Sequence, residues 1–472
     1  SLHAQAPDTL WTRCIGGASG ESATAVFPTA DGGFLIGGST SSFGSSDFYM
    51  VKTNEQGEVV WEKTFGQTDR YEAMTCMIET DGGGYLMAGK RAEDSPYTSS
   101  SDIYLIKTDA SGNVSWSSII GEATKSETPA SIAQTPDGGY IICGSYWLSS
   151  QTVFDVFLRK VNSEGIQQWM TYINFEDGSA DYGDWIEVAS DGGFLITGRT
   201  QAFNYNYAYD AYIMKTTGTG VEEWMIEYGD PWPYYEGANR LIKTSDGGFF
   251  ICGYQNNDGV DNDWYVVKTN GLGVKQWSRT IGGTYHDKAF NACETSDGGY
   301  AVTGNYHLEN WRCFVAKYNN EGDTLWTRMW GDANHSSHNY DIRQLDDGGF
   351  ITLGTITPNG GLTDIYLSRL SEDITGIENP DGKINPSQIE FLDAKPNPFS
   401  NSTLITYRVN SRRHLNISIY NLIGTKLATL VEGIVAPGSY EVSIGENLPA
   451  GIYFCQLQSE EFCRVKKLIR TN

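Results

Sequence analysis

The chain has 472 residues, 13% of them aromatic, with 54 Gly and only 14 Pro, so it can bury a large core and is neither low-complexity nor disordered. Its formal net charge is −25, and the last 82 residues hold nine cations and six acids, which leaves −28 on the first 390. That balance argues against nucleic acid and anionic membranes as partners, and no run of about 18 apolar residues offers a helical membrane span.

In chain order, residues 1–6 end in Ala4-Gln5-Ala6, which reads as a signal-peptide remnant and predicts export. Leu10–Gly16, with Trp11, reads as one isolated strand. A motif of the form D-G-G-F-L-I-T-G then recurs seven times, starting at Asp31, Asp81, Asp137, Asp191, Asp246, Asp297 and Asp347. An Asp-Gly pair ahead of a short aromatic and β-branched run is a hairpin signal, because the turn needs φ > 0 and Gly supplies it without steric cost. After each copy comes a variable loop, and then a strand opened by an acid: Asp47, Asp102, Asp155, Asp210, Asp263 and Asp364, with Arg312 in the sixth unit. A Lys in that strand precedes a Gly turn and a Trp. Lys52 and Trp61, Lys107 and Trp116, Lys160 and Trp169, Lys215 and Trp224, Lys268 and Trp277, and Lys317 and Trp326 are each nine residues apart, as two strands of one hairpin require.

One unit therefore reads as a four-stranded antiparallel meander of about 50 residues, and seven of them predict a β-propeller. The seventh stops after Asp364–Leu370 without a Trp strand, so the orphan strand of Trp11 is expected to complete it and close the ring, leaving no exposed edge. The predicted fold is all-β: a seven-bladed propeller over 7–371, a linker over 372–390, and a small Ig-like β-sandwich over 391–472.

Two resemblances follow from these motifs. The units resemble the D-G-G-[FY] propeller repeats of secreted Bacteroidetes proteins. The ending, with Pro396-Asn397-Pro398-Phe399, then Tyr420-Asn421-Leu422-Ile423-Gly424, then Leu448-Pro449-Ala450-Gly451-Ile452-Tyr453 and last Lys466-Lys467-Leu468-Ile469, is similar to the C-terminal sorting domain of type IX secretion substrates. That resemblance implies export across a Gram-negative outer membrane, the translocon as a partner, and a secreted or surface-attached location. Pro396, Asn397, Pro398, Phe399, Gly424, Gly451, Lys466 and Lys467 are its matching positions.

Candidate sites were sought against this repeat. Thirteen residues before the aromatic of each Gly-Gly pair lie Glu21, Glu72, Glu127, Asp181, Glu236 and Asp287, with Ser337 in the seventh unit. These acids open the innermost strands and are expected to ring the channel mouth. They suit either a hard cation such as calcium, which wants several oxygen ligands, or a structural role accepting N–H bonds from the neighbouring blade, and the structural role is the expected one. Among variable-loop aromatics, Tyr146, Trp147, Tyr205, Tyr207, Trp232, Tyr234 and Tyr235 are candidate ligand-stacking rings, joined by Phe203, Tyr209, Tyr285, His286, Tyr306 and Trp311; the alternative is packing of loop on loop. Asn257–Asp263 resembles a calcium loop in composition but lacks its order and terminal Glu, and His335 and His338 lack further ligands at metal spacing. Cys143 and Cys252 occupy a repeat position filled elsewhere by Gly37, Ala88 or Thr197 and should be small buried residues. Cys455 and Cys463 are equidistant from Ser459 and could face each other as a disulfide. No catalytic motif is present, and no cofactor is expected apart from the calcium alternative. The function expected is a binding or adhesion protein for a glycan or protein ligand, with a glycan-active hydrolase or lyase, or a structural surface or filament subunit, as alternatives.

Overall fold

The computed structural model describes residues 6–471 except 44, 68, 93–100, 123–124, 149–153, 176–177, 202–207, 230–234, 257–260, 284, 332–333, 359–360, 373–389, 398, 410–412, 422–425, 437, 446–447 and 459–462. Two compact units result: Pro7–Glu372, and a second holding the chain from Asp373 onward. The expected linker, 372–390, lies almost wholly outside the described residues.

The first unit contains seven antiparallel sheets of four strands, each a meander. The first sheet runs Glu21–Pro28, Phe34–Thr40, Asp47–Thr53 and Val59–Phe65. The seventh takes three consecutive strands, Ser336–Gln344, Phe350–Thr357 and Asp364–Leu370, and its fourth is the N-terminal strand Thr9–Ile15, with Arg13 opposite Leu367. Sheets are numbered here by the chain order of their first strands. Each first strand touches the next, and Glu21–Pro28 touches both Tyr71–Glu79 and Ser336–Gln344.

The repeat motif has a physical reason at each position. Gly32 takes φ 80°, which a Cβ disfavours, so that the chain can turn. A Cβ on Gly33 would lie 2.1 Å from the Thr53 carbonyl and 2.6 Å from Lys52 Nζ, so the second glycine leaves room for the lysine. The Asp closes the arrangement: Asp31 accepts the Gly33 N–H at 3.1 Å and pairs with Lys52 at 2.9 Å. Lys160–Asp137, Lys215–Asp191, Lys268–Asp246 and Lys317–Asp297 repeat the pair, and Arg369–Asp347 substitutes for it in the seventh unit. The Thr135 hydroxyl and Lys160 hold Asp137 down to about 2. The second copy carries an extra glycine, and there Lys107 bonds the Thr108 carbonyl instead.

Lys and Trp nine apart are cross-strand neighbours, as in Lys52 opposite Trp61. Trp61 lies on Gly112, Trp116 on Gly165, Trp169 on Gly220, Trp224 on Gly273 and Trp277 on Gly322, each a turn glycine of the following sheet. Trp11 of the seventh sheet covers Gly57 of the first in the same way, and Ile15, Val26, Phe34, Ile351 and Leu367 share one buried cluster across those two sheets. Burying apolar area at roughly 25 cal/mol per Å² makes these sheet-to-sheet cores the main source of stability. Cys143 and Cys252 sit in such cores, fully buried and free.

The second unit has two sheets, Glu390–Lys395, Thr403–Val409 and Gly438–Ile444 in one, and Lys426–Val435, Arg413–Asn421, Gly451–Gln458 and Cys463–Arg470 in the other. Phe399, Ile405, Leu415, Ile417, Ile419, Tyr453 and Leu468 share its core. The register of its last two strands is not centred on Ser459. Cys455 pairs with Lys466 and Cys463 with Gln458, so the two cysteines are three positions out of register. That register corrects the expected disulfide, since three positions along a strand is about 10 Å, beyond the reach of an S–S bond. Cys455 is free and buried, and burial pushes its thiol up to about 12.

Candidate functional site

The acids that open the first strands are buried, at 3% exposure for Glu21 and 0% for Glu72, Glu127, Asp181, Glu236 and Asp287. They are therefore withdrawn from solvent rather than lining an open rim. Their donors come chiefly from their own sheet and the loop leading into it, not from the neighbouring sheet as expected. Glu21 accepts from Thr40 and Ser42 at 2.9 and 2.6 Å, and Asp181 from Thr200 and Ser179 at 2.6 and 3.0 Å. Asp287 accepts the Gly283 and His307 N–H groups at 3.0 and 2.6 Å, Glu236 accepts from Gln255, Glu127 pairs with Arg159, and Glu72 faces Arg91.

What crosses between sheets is the acid's own backbone N–H. Glu21 donates to the Thr363 carbonyl, Glu72 to Ser46, Glu236 to Tyr209 and Asp287 to Asn262. Each acceptor immediately precedes the acid that opens the third strand of the preceding sheet, so two carboxyls are brought to one junction. At Gly16, a Cβ would meet Asp364 at 2.1 Å and Glu21 at 2.7 Å. Burial, with Glu21 beside it, raises the Asp364 carboxyl; burial, with Asp263 and Asp261 nearby, raises Asp287 to about 6. Among the described residues no three His, Cys, Asp or Glu side chains converge as metal ligands.

Of the candidate rings, Tyr205, Tyr207, Trp232 and Tyr234 lie outside the described residues, as does Phe203. Tyr146 corrects its expected role: it is 7% exposed and packs at 4.3 Å on Tyr172. Trp147 is half-buried, opposite Ser126 and Phe154 in its sheet, while Tyr235 is exposed. Tyr285 packs on His307, Tyr306 on Phe314, and Trp311 between His307 and His338.

A different set of positions distinguishes one sector of the molecule. Every first strand carries a register shift that leaves one residue unpaired, three after the junction acid: Thr24, Thr75, Ala130, Asp184, Asn239, Phe290 and Tyr340. Such bulges re-aim a side chain out of the ladder. Here they reach along the row of first strands, as Asn239 bonds the Ala289 carbonyl at 2.7 Å and Phe290 packs on Tyr340. The residues one after the acid are Ser22, Ala73, Thr128, Tyr182, Gly237, Lys288 and His338. Sheets one to three thus supply only small side chains to this belt, whereas sheets four to seven supply Tyr182, Asp184, Lys288, His338, Phe290 and Tyr340.

In sheets four to six these side chains form one cluster. Asp184, the one ionisable carboxyl among the seven bulge residues, pairs with Arg199 at 2.8 Å. The Arg199 guanidinium lies 4.0 Å over the Tyr182 ring and 5.7 Å from that of Tyr209. Gly237 supplies no side chain, and the Tyr254 ring opposite it fills the space, 2.6 Å from where a Cβ would stand. The Lys288 ammonium sits 4.3 Å over that Tyr254 ring. Phe154, exposed, stacks on Tyr182 at 5.3 Å. Burial raises Asp184 against the pull of Arg199, and burial, reinforced by Arg199, lowers Lys288. The arrangement offers flat rings for stacking beside fixed charges, the combination that orients a polar, partly apolar ligand. Sequence reading passed over it because it followed the junction acids; counting three residues further in each unit singles out Asp184.

In the second unit, Phe399 is buried, its carbonyl accepts the Thr471 N–H at 2.8 Å, and Arg470 bonds the Ser400 and Gly445 carbonyls. Gly451 starts a strand, and Lys466 and Lys467 lie in the last one; Pro398 and Gly424 fall outside the described residues. The motif thus ties the start of this unit to its final strand.

No curated protein matches the chain. Among solved structures it is similar to a polysaccharide lyase, Uly1, at 11% identity and TM-score 0.47, over 74% of this chain and 90% of that one. It is likewise similar to a fungal copper-bound alcohol oxidase at 12% and 0.46, over 99% and 100%, and to Drosophila Semaphorin 2a at 8% and 0.46, over 100% and 98%. At such scores none bears on function. Residues 395–471 match the secretion system C-terminal sorting domain, of the type IX system, and the protein is accordingly exported and is either secreted or attached to the cell surface.

Proposed function

We propose that the seven sheets are the blades of a closed β-propeller of the D-G-G-[FY] kind, and that the protein is an extracellular binding protein taking a glycan or protein ligand. The type IX sorting domain delivers it, and the propeller binds at the belt of first strands in sheets four to six. One observation carries this reading: in a scaffold of near-identical units, Tyr182, Asp184, Arg199, Tyr254 and Lys288 break the repeat together and in contact. The repeat itself needs neither Tyr182, Asp184 nor Lys288, since the equivalent positions in sheets one to three hold Ser, Thr and Ala; the position of Arg199 and Tyr254 is Ser39, Lys90 and Ser145 there.

Testing uses the full chain on a glycan array, with a peptide library beside it, followed by Tyr182→Ala and Tyr254→Ala. Aromatic anchors at interfaces cost about 1–3 kcal/mol on truncation, so each variant should lose roughly ten-fold or more in affinity while melting like the parent. Unchanged binding in both variants would place the ligand elsewhere.

A further inference from the structure

We propose that the site formed by sheets four to six takes an acidic sugar, with the carboxylate of a uronate-type residue seated at Lys288; this rests on the binding reading above. The argument is one of unmatched charge. Lys52, Lys160, Lys215, Lys268 and Lys317 each pair with an Asp at 2.6–2.9 Å. Lys288 is half-buried against Tyr254, and among the described residues no carboxylate lies within ion-pair distance of it. The nearby acid, Asp184, is already engaged by Arg199 at 2.8 Å. Two cations and one anion therefore share a partly desolvated corner, where an unmatched charge is costly. A bound anion balances it, opposing the burial and the Arg199 charge that depress the lysine.

The ligand's other properties follow from what surrounds that corner. Flat rings, Tyr182 and Tyr254 with Phe154 outside them, suit the C–H face of a sugar ring. The large negative charge of the first 390 residues repels a dense polyanion, which favours isolated carboxylates over a heavily sulfated chain. Across the seven equivalent positions Lys288 is the single lysine, so the repeat does not demand it.

The experiment measures binding of a partly methyl-esterified oligogalacturonate, which carries isolated carboxylates, to the full chain by calorimetry, beside the same oligosaccharide fully methyl-esterified, which keeps the shape and removes the charge, and beside an acidic peptide. The acid form should bind about 10- to 100-fold more tightly than the ester, as for a charge-assisted hydrogen bond. Lys288→Gln should erase that difference and Lys288→Arg should keep it, both melting like the parent. Equal affinity for acid and ester, unmoved by Lys288→Gln, overturns the charge inference but leaves glycan binding standing. Binding of the peptide alone, or of none of the three probes, overturns the acidic-sugar assignment, and the array results then decide the broader reading separately.

Discussion

Asp287 allows a perturbation whose sign and pH are both set by the structure. Burial, with Asp263 and Asp261 nearby, lifts its carboxyl from 3.8 to about 6, against the His307 and Gly283 N–H groups that bond it. A raised pKa in the fold means the protonated form is favoured there. The stability tied to this group is therefore fully present at low pH and is lost as pH rises from about 4 through about 6. A shift of roughly two units corresponds to about 3 kcal/mol. Asp287→Asn abolishes the titration, and it also exchanges one acceptor oxygen for a donor, leaving one N–H unmet at a pH-independent cost of about 1–2 kcal/mol. The variant should thus be less stable than the parent by about that amount at pH 4 and more stable by about 1 kcal/mol at pH 7.5. All 13 Trp lie before residue 331, so urea unfolding followed by Trp fluorescence reports on the first unit alone. A stability difference that stays flat between these two pH values refutes the reasoning.

Three further outcomes are expected. Deleting residues 7–17 strips Thr9–Ile15 from the seventh sheet and bares the edge of Asp364–Leu370, so the product should aggregate, oligomerise or lose several kcal/mol of stability; a monomer with parental melting contradicts the pairing. Mass spectrometry of the non-reduced protein should find no Cys455–Cys463 bond, and native Cys455 should alkylate slowly because it is buried. Chelator should leave the melting temperature within about 1 °C of the parent's; a drop reversed by calcium, and abolished by Glu127→Gln with Glu236→Gln, would instead mark those acids as ion ligands.

The sheets were legible because their determinants are local and repeat. The Asp-Gly turns, the Lys-to-Trp spacing and the strand lengths each record a contact within one unit, and seven copies make the pattern unmistakable. The N-terminal strand was legible by bookkeeping, as one Trp strand was missing at one end and present at the other. The Cys455 register was not, because symmetry about Ser459 assumes a turn centre that only the packed hairpin fixes. Tyr146 could not be read as core or ligand from its loop position, since its burial depends on Tyr172 from a strand 26 positions away. The bulge position of Asp184 recurs in every unit, but which side chains it meets depends on Arg199 from the partner strand and on the neighbouring sheets, which no local pattern records.

The sixth junction separates a scaffold role for the acids from an ion-binding one. Six junctions join a first-strand acid to a third-strand Asp, and in the remaining one both are replaced together, by Arg312 and Ser337. The geometry there is kept: a Cβ on Gly331 would meet Ser337 Oγ at 2.3 Å, and Ser337 Oγ accepts the Cys313 N–H at 3.3 Å. Placing Arg312 beside a carboxylate would have made an ordinary ion pair, yet the carboxylate is gone too, so the two positions change as a unit. A junction that holds without either carboxyl means the acids are one way of filling a buried polar gap beside a glycine. Their sixfold recurrence then follows from the repeat, whereas the single occurrence of Asp184, Arg199 and Lys288 cannot, and function is to be sought where the repeat fails.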